Sequence, residues 1–461
     1  MEECDPVTYR AGELIEVTAG DAAHGGWCVA RPADGPAVFV RHALPGERVR
    51  VRVTEVASRL ARAEAVEILD ASPDRVQPPC PHAVPGGCGG CDWQHASLPA
   101  QRSLKAAVIR QQLRRLAGLE HDVTVEPLPG DDEPPGPDGR GGGLGWRTRV
   151  QFAVREDGVA GLRAHRSHQV IDVGRCLIAH PGITELGIPA RRWEGQASVE
   201  ALIAAESGER AVILTPGGKQ RDRRAQTTDR SASIEGITAE SVLRRAGRSL
   251  APMRGRGDLN QRAAGRDWRV SAGAFWQVHS GAADALTAAV LAALEPRPGD
   301  AVLDLYCGAG LFAGVLAPAV GPDGIVIGVE SDQAAVRDAR HNLREWPWAQ
   351  VRRGDVAAVL RAQHQALAAA RLVVADPPRA GLAREVIGYL TAAGSRAERL
   401  AYVSCDPATM ARDIGLLTGH GWTLDGLRAF DAFPMTHHVE CVAVLAAPGL
   451  QADPAAGAPL T

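Results

Sequence analysis

The chain has 461 residues; 45% of them are hydrophobic, and 51 basic residues against 54 acidic ones leave a net charge of −3. This length favours two or three domains, and the charge excludes a protein that is basic throughout. The acidic start of the chain lacks the apolar segment of a signal peptide, and no run approaches the ~20 apolar residues of a membrane helix. We therefore expect a cytoplasmic protein, in which clustered cysteines hold metal more often than they form disulfides.

Five short runs of alternating residues between positions 11 and 70 predict a small closed barrel of β-strands. The runs are Leu14–Val17, Gly26–Ala30, Ala37–Val40, Arg48–Val53 and Ala63–Ile68. Arg and Val alternate along the fourth run, so one face of that strand would be buried and the other cationic. Phosphate binding and simple solvation are equally good interpretations of the cationic face.

Three cysteines follow the barrel in a Pro-rich stretch from 71 to 95, and a fourth occurs much later. Cys80, Cys88 and Cys91 have the spacing C-x7-C-x2-C, and Cys176 is the later one. Four thiolates suit either zinc or an iron–sulfur cluster, and the spacing alone does not choose between them. Unligated cysteines are the third interpretation.

The middle of the chain combines a helix with antiparallel strands. Apolar residues recur at helical spacing from Leu98 to Leu119, and alternating runs at 147–154 and near 159 and 170 predict an antiparallel sheet. The interval from Lys219 to Arg269 contains 13 basic and six acidic residues. This local excess is a candidate surface for phosphates, although each charge alone is more often a solvated one.

From about residue 270 onward, strands alternate with helical segments, which is the pattern of a doubly wound, Rossmann-like α/β domain. The predicted strands are Ala301–Leu305, Ile325–Glu330, Leu372–Asp376 and Leu400–Val403. We accordingly expect three domains. These are a barrel over residues 8–70, a central α+β domain over 71–265 that bears the cysteines, and an α/β domain over 266–450, on which the helix from Leu98 packs.

The turn after the first α/β strand, Tyr306-Cys307-Gly308-Ala309-Gly310, is rich in glycine and lets a ligand approach the backbone. The next strand ends in Glu330, 26 residues after Asp304, where a carboxylate can accept hydrogen bonds from ribose hydroxyls. A dinucleotide is the obvious competitor, but the third glycine of its motif is absent. Together with Asp376 on a later strand, the pattern favours S-adenosylmethionine.

Two further strand ends carry reactive groups. Cys405 follows the apolar run that ends at Val403, and Glu440 precedes the run Val442–Leu445. Open α/β sheets keep their chemistry at strand ends, and a thiol nucleophile beside a carboxylate base can add to a ring and later remove its proton. A structural cysteine is the alternative, which the setting Ser-Cys-Asp-Pro at a strand end disfavours.

Four motifs occur in order along the chain: Asp-Leu-Tyr-Cys-Gly-Ala-Gly (304–310), Asp-Pro-Pro-Arg-Ala-Gly (376–381), Val-Ser-Cys-Asp-Pro-Ala-Thr (403–409) and Phe-Pro-Met-Thr-His-His-Val-Glu (433–440). With them the chain resembles the RNA 5-methyluridine methyltransferases, which modify tRNA or large-subunit ribosomal RNA, over essentially its whole length. The resemblance implies that the barrel is a TRAM domain, an OB-like RNA-binding module, and that the α/β domain is a class I methyltransferase.

The resemblance also implies roles for individual residues. Cys405 would be the nucleophile that adds to carbon 6 of uracil, and Glu440 would remove the proton from carbon 5. The candidates for binding the cofactor are Gln277, Tyr306, Glu330, Asp355 and Asp376. Members of the family with such cysteines hold a [4Fe–4S] cluster, so the resemblance favours this cluster, with zinc as the second choice, for Cys80, Cys88, Cys91 and Cys176.

Three positions depart from the family pattern. Asp406 and His279 stand where many members carry Asn. Leu311 replaces a polar residue after the glycine turn, which puts one cofactor contact in doubt but not the reaction.

We therefore expect a monomeric, S-adenosylmethionine-dependent enzyme that methylates carbon 5 of uridine in tRNA or ribosomal RNA. The target base must leave its stack to reach a buried thiol. Trp93, Trp146 and Trp276 are candidates to stack on bases, with burial as the alternative. Two other functions stay open: a methyltransferase for another base, such as DNA cytosine, whose Pro-Cys motif is absent, and a non-catalytic RNA-binding protein.

Overall fold

The computed structural model describes residues 9–33, 35–57, 60–217, 234–363 and 367–450. The first part of the basic interval that begins at Lys219 lies outside these ranges. Within them, three larger β-sheets and one two-stranded hairpin organise the chain. No helix in the described ranges is both long and apolar enough to cross a membrane.

The N-terminal sheet, called the barrel below, wraps around one apolar core. Its strands are β1 (Leu14–Thr18), β2 (Ala22–Ala23), β3 (Trp27–Ala30), β4 (Ala37–Arg41), β5 (Arg48–Ala57) and β6 (Leu60–Asp70), in the order β1-β5-β6-β4-β3-β2. Inward-facing side chains such as Val38, Val51 and Ala63 are fully buried in a single cluster. The five predicted strands are all present, and the two-residue β2 is additional because it is too short to show a pattern.

The cationic face predicted on β5 is largely neutralised. Arg48 forms ion pairs with Glu16 and Asp70, and Arg50 forms ion pairs with Glu16 and Glu67. These acids lie on the strands that flank β5. The alternating pattern therefore reflects cross-strand charge pairing, which the sequence of β5 alone does not reveal.

The predicted helix is present as α1 (Leu98–Gln112), which continues in a π-helical turn over Leu113–Ala117. Ser97 caps its start, and Gly118 ends it in a left-handed conformation (φ 68°). Ile109 is fully buried in a core shared with the C-terminal sheet, a burial that stabilises the fold by about 1.5–3 kcal/mol. The helix thus packs on the C-terminal part of the chain.

The central sheet is antiparallel except where β12 and β13 run parallel. Its strands are β8 (Arg149–Val154), β9 (Ala160–Arg163), β10 (Val170–Ile171), β11 (Gln196–Ile203), β12 (Arg210–Pro216), β13 (Ser241–Ala246) and β14 (Ser249–Arg254), in the order β10-β9-β8-β11-β12-β13-β14. The short helix α2 (Pro181–Thr184) and the 3-10 turn Ile188–Ala190 connect β10 to β11. A hairpin of β15 (Asp258–Ala263) and β16 (Arg266–Ser271) follows.

The C-terminal sheet has eight strands in the order β19-β18-β17-β20-β21-β23-β22-β7. They are β7 (Val125–Glu126), β17 (Ala301–Leu305), β18 (Ile325–Glu330), β19 (Ala349–Arg353), β20 (Leu372–Ala375), β21 (Arg399–Ser404), β22 (Thr423–Phe430) and β23 (Glu440–Ala446). The helices are α3 (Ala282–Leu294), α4 (Leu311–Val320), α5 (Gln333–Asn342), α6 (Val356–Ala362), α7 (Arg384–Thr391) and α8 (Pro407–Gly419). All four predicted strands of this domain are present.

The topology of this sheet positions the candidate site. The strand order reverses between β17 and β20, and such a reversal opens a crevice at the carboxyl ends of parallel strands. β23 runs antiparallel to β21, so the beginning of β23 lies at the same edge of the sheet as the end of β21. The crevice and both reactive strand ends therefore share one edge.

Candidate active site

A tight turn joins β17 to α4 beside the crevice. Tyr306 (φ 65°), Gly308 (φ 53°) and Gly310 (φ 90°) all have left-handed backbone conformations, which suit glycine and are uncommon for tyrosine. A Cβ atom on Gly308 would meet nothing within 4 Å, so open space lies in front of the turn. A ligand can therefore approach the backbone of the turn.

Three carboxyl groups surround this turn. Glu330 Oε2 accepts a hydrogen bond from Gly308 N at 3.1 Å. Asp304 is fully buried, and one of its oxygens has no partner within the described ranges. Burial raises the pKa of Asp304 to about 7, and the charges of Asp376 and Glu330 act in the same direction. Carboxyl groups beside a turn that a ligand can approach suit a cationic ligand, and S-adenosylmethionine carries positive charge on its sulfonium and amino groups.

Asp376 links this turn to the next strand. Its backbone N donates to Leu305 O at 3.2 Å, and burial raises the pKa of its carboxyl to about 7. The pKa of Tyr306 is also raised, by burial and then by the charge of Asp355. Asp355 itself caps α6 by accepting a hydrogen bond from Ala358 N at 3.0 Å. Four of the five predicted cofactor residues thus lie along one sheet edge.

Gln277 is the fifth cofactor candidate and comes from outside the sheet. It lies in the segment between β16 and α3, and only 6% of it is exposed. The next backbone carbonyl, of Val278, accepts hydrogen bonds from the backbone and the hydroxyl of Thr148. These bonds secure the segment that carries Gln277 against the start of the central sheet.

Cys405 and Glu440 lie at the same edge of the sheet, where β21 ends and β23 begins. Ser404 pairs with Cys441 at the last position of the β21–β23 ladder, and Cys405 and Glu440 are the residues that adjoin this pair. Only 4% of Glu440 is exposed, and Cys405 is partly buried.

Burial and nearby charges shift the pKa values of both groups. Burial raises the pKa of Cys405 to about 12, and the charge of Glu440 contributes to the rise. Burial also raises the pKa of Glu440 well above its usual range, with the charge of Asp376 as the second cause. Burial therefore opposes ionisation of both groups in the protein alone.

Arg379 is a site residue that the sequence pattern did not single out. Its positive charge lowers the pKa of Cys405 and of Glu440, against the effect of burial, and it also acts on His438. The signal was present in Asp-Pro-Pro-Arg, where a cation follows the strand-end Asp376 by three positions. Its role follows only from the fold, which brings the end of β20 beside the end of β21 and the beginning of β23.

The three positions that depart from the family pattern each have a structural setting. Leu311 is the first residue of α4 and is buried in the apolar core, so it offers no polar contact. His279 bonds to Asp131 at 3.1 Å and stacks on Trp146. Asp406 caps α8, where its Oδ1 accepts hydrogen bonds from two backbone amides.

All four predicted cysteine ligands line one cavity of about 500 Å³, although Cys176 lies in the connection between β10 and α2, far along the chain from the segment of Cys80, Cys88 and Cys91. Among the described residues, no three His, Cys, Asp or Glu side chains converge closely enough to hold a single metal ion. Four thiols on one cavity are donors that either an iron–sulfur cluster or zinc can use.

Three protein-family models match separate parts of the chain. The TRAM domain model matches residues 10–66, which include the barrel strands up to most of β6. The model of protein-L-isoaspartate(D-aspartate) O-methyltransferase matches residues 274–357, which include the glycine turn. The model of tRNA (uracil-5-)-methyltransferase matches residues 360–447, which include Cys405 and Glu440.

Similar proteins match along nearly the whole chain. An uncharacterized RNA methyltransferase of Streptomyces avermitilis is 50% identical over 95% of this chain and 100% of its own length. One of Streptomyces coelicolor is 49% identical over 97% of this chain and 96% of its own length. One of Bifidobacterium longum is 36% identical over 93% of this chain and 96% of its own length.

A solved structure has the same fold. It is the tRNA (uracil-54, C5)-methyltransferase of Pyrococcus abyssi in complex with S-adenosyl-L-homocysteine. The two chains superpose with a TM-score of 0.67 at 24% sequence identity, over 93% of this chain and 99% of the other.

Proposed function

This chain belongs to the S-adenosylmethionine-dependent RNA methyltransferases of the tRNA (uracil-5-)-methyltransferase family, and we propose that it methylates carbon 5 of uridine in tRNA or ribosomal RNA through a covalent adduct of Cys405. The observation that supports the proposal is the last pair of the β21–β23 ladder, Ser404 with Cys441, which Cys405 and Glu440 adjoin at one edge of the sheet. A thiol nucleophile and a carboxyl base at one strand edge supply the two groups that this substitution needs.

Carbon 5 of uracil is a poor nucleophile by itself. The reaction therefore requires a group on the enzyme that adds to the ring and activates this carbon. Cys405 Sγ forms a bond to carbon 6, and the electron pair of the ring double bond becomes available at carbon 5. S-adenosylmethionine, when bound, would supply the electrophilic methyl group to that carbon as its sulfonium S–C bond breaks, and would leave as S-adenosylhomocysteine. Glu440 then accepts the proton of carbon 5, the double bond re-forms, and the bond between Cys405 and carbon 6 breaks, which restores the thiolate.

Both catalytic residues must be deprotonated to act. Cys405 must lose its proton to attack, and Glu440 must be ionised to act as a base. Burial opposes both ionisations, the charge of Glu440 also raises the pKa of Cys405, and the charge of Asp376 also raises the pKa of Glu440. Arg379 is the nearby cation that favours them, and we assign it the role of stabilising the thiolate and the carboxylate.

We propose that Gln277, Tyr306, Glu330, Asp355 and Asp376 bind the cofactor. Glu330 and Asp355 follow neighbouring strands, β18 and β19, where carboxylates suit the ribose and the base of a nucleoside. Asp376 follows β20, which lies between β17 and β21 in the sheet. A carboxylate there would suit the cationic part of the cofactor where it meets the target base.

We propose that Cys80, Cys88, Cys91 and Cys176 hold a [4Fe–4S] cluster. The cavity that they share supports this assignment. Methyl transfer involves no electron transfer, so the cluster would brace the segment between the barrel and α1. Iron and sulfide analysis of anaerobically purified protein tests it: about four irons per chain is expected, whereas one zinc per chain would contradict it.

RNA is the proposed substrate, and the barrel, over residues 8–70, is its proposed binding module. Two of the tryptophans predicted to stack on RNA bases do not serve this role. Trp93 and Trp146 are buried (1% and 2% exposed) and cannot stack on bases. The guanidinium of Arg149 donates hydrogen bonds to Glu200 and to a backbone carbonyl.

We propose a central domain over 71–265 and a catalytic domain over 266–450, within a monomer.

The proposal is tested by incubating the purified protein with radiolabelled S-adenosylmethionine and unmodified transcripts of tRNA and large-subunit ribosomal RNA. Digestion to nucleosides should yield labelled 5-methyluridine from one of the two RNAs. Label on another base would indicate a different nucleic-acid methyltransferase. RNA binding without any transfer would indicate a non-catalytic RNA-binding protein.

A further inference from the structure

The loop between β22 and β23, residues 431–439, delivers Glu440 to the site and is held by distant parts of the chain. Met435 has a left-handed backbone (φ 68°), which is uncommon for a residue with a side chain. The backbone amides of Asp92 and Trp93 both donate to Met435 O at 3.0 Å. The Gln101 side chain accepts a hydrogen bond from Met435 N at 2.7 Å. The conformation of the loop thus depends on residues outside the C-terminal sheet.

A charged chain connects this loop to the barrel. Asp92 is 6% exposed and accepts a hydrogen bond from His437 Nδ1 at 2.6 Å and another from His437 N at 3.2 Å. The other oxygen of Asp92 pairs with Arg41, on β4 of the barrel, at 3.2 Å. Because Asp92 uses both oxygens, it fixes His437 relative to the barrel.

The approach is close enough to require a glycine. A Cβ atom on Gly26 of the barrel would lie 2.8 Å from Asp92 and 3.2 Å from His437. Gly26 also has a positive φ of 81°. The barrel is therefore packed directly against the segment that precedes Glu440.

A second contact reaches the segment of Cys405. His24, between β2 and β3 of the barrel, pairs through Nε2 with Asp406 Oδ2 at 3.2 Å. Asp406 follows Cys405 directly and caps α8 with its other oxygen. The same barrel thus contacts the residue that follows Cys405 and the segment that precedes Glu440.

We propose that the barrel positions the two catalytic residues, through His24 and Asp406 for Cys405 and through Arg41, Asp92 and His437 for Glu440. This inference rests on the proposed function, and it gives the barrel a part in turnover in addition to its proposed binding of RNA. His24, Asp92 and His437 are positioning residues, since they act through the segments that they hold. Displacement of a reacting group by about 1 Å can lower a rate about 100-fold, so such contacts bear on kcat.

Substitution of each histidine by Asn and by Gln tests this proposal. The side-chain NH2 group of Asn occupies about the position of His Nδ1, and that of Gln occupies about the position of His Nε2. His437→Asn and His24→Gln should keep the donor and most of the activity. His437→Gln and His24→Asn remove the donor from the required place. They should lower kcat about 10- to 100-fold with KM for transcript RNA changed less than threefold. Exposed His420→Ala serves as the control.

A KM rise with unchanged kcat would contradict the proposal, and so would equal losses in the Asn and Gln variants of one histidine. A KM rise with unchanged kcat would indicate instead that His24 and His437 contact RNA. Hydrogen exchange of the RNA-free protein adds a readout that does not depend on turnover. Segments 405–410 and 431–440 should exchange faster in His24→Asn and His437→Gln, respectively, and at wild-type rates in the matched variants.

This exchange experiment also separates the two proposals. A wild-type protein that methylates neither transcript would overturn the proposed function, while the exchange rates would still decide whether the barrel holds these segments. An active wild type with unchanged exchange in all four variants would overturn the positioning role alone.

Discussion

The glycine turn and the catalytic pair lie at the same edge of the C-terminal sheet, but very different lengths of chain hold them in place. The turn is held by local bonds, such as that from Gly308 N to Glu330. The loop before Glu440 is bonded to residues more than 300 positions away, including Gln101 and Lys105. A short motif is sufficient to build the cofactor turn, whereas the catalytic pair requires the N-terminal third of the chain.

The largest expected effect concerns the nucleophile. Cys405→Ala should lower methyl transfer about 1,000-fold or more, because the proposed adduct forms on the sulfur of this residue. Binding of S-adenosylmethionine, measured by calorimetry, should be unchanged, since the turn is held separately. Cys441→Ala is the matched control: this neighbouring thiol is fully buried and should be dispensable. Transfer at near wild-type rate by the Cys405 variant would refute the covalent mechanism.

The base should have the next largest effect. Glu440→Gln should lower turnover about 100- to 10,000-fold, because the proton on carbon 5 can no longer leave. The covalent intermediate should therefore accumulate and appear as a slow band of protein bound to RNA on a denaturing gel. The band must vanish in the double variant with Cys405→Ala. Full turnover by Glu440→Gln would mean that another group accepts the proton.

Long-range support of the catalytic loop can be tested through stability. Lys105 and Asp431 form an ion pair and are almost completely buried. Lys105→Met alone leaves an unpaired buried carboxylate and should lower the free energy of unfolding by about 3–5 kcal/mol. Denaturation in urea measures the change. The double variant Lys105→Met, Asp431→Leu should recover much of it, and equal losses in the single and double variants would contradict this account.

The cofactor turn should respond more mildly and depend on pH. Asp376→Asn should weaken S-adenosylmethionine binding about 10- to 100-fold at pH 8, as expected for loss of a charged hydrogen-bond acceptor. The pKa of Asp376 is raised to about 7, so the wild type should lose affinity as the pH falls below 7 and this carboxylate is protonated. The variant should show a smaller pH dependence, with the remainder from Asp304, whose pKa is also about 7. An unchanged pH profile in the variant would exclude this role.

The smallest predicted effect concerns Arg379, which is exposed. Its charge lowers the pKa of Cys405, so Arg379→Gln should slow alkylation of this thiol by iodoacetamide about two- to fivefold at pH 8, as expected for a solvent-screened charge. Alkylation should quicken about tenfold per pH unit in both proteins, because the thiolate is the reactive form and its pKa lies far above that pH. Faster alkylation of the variant would reverse the assigned role.

The predicted secondary structure of the barrel, α1 and the C-terminal sheet is confirmed, because alternating and helical patterns report burial that each element experiences by itself. Two interpretations that the sequence left open were settled by neighbouring side chains. Arg48 and Arg50 face acids on adjacent strands, and the buried Trp146 packs against His279. The partners of these side chains come from other parts of the chain, so the local pattern cannot identify them.

The sequence by itself determined the strands, the glycine turn, the reactive residue types at the strand ends and the family, since each depends on contiguous residues. The tertiary structure alone decided that β23 runs antiparallel to β21, that Arg379 faces the pair, and that His24 and Asp92 reach its two segments from the barrel side. These contacts join residues up to several hundred positions apart. These contacts form only in the folded chain. Burial and close approach there strengthen the interaction energy of single charges and hydrogen bonds.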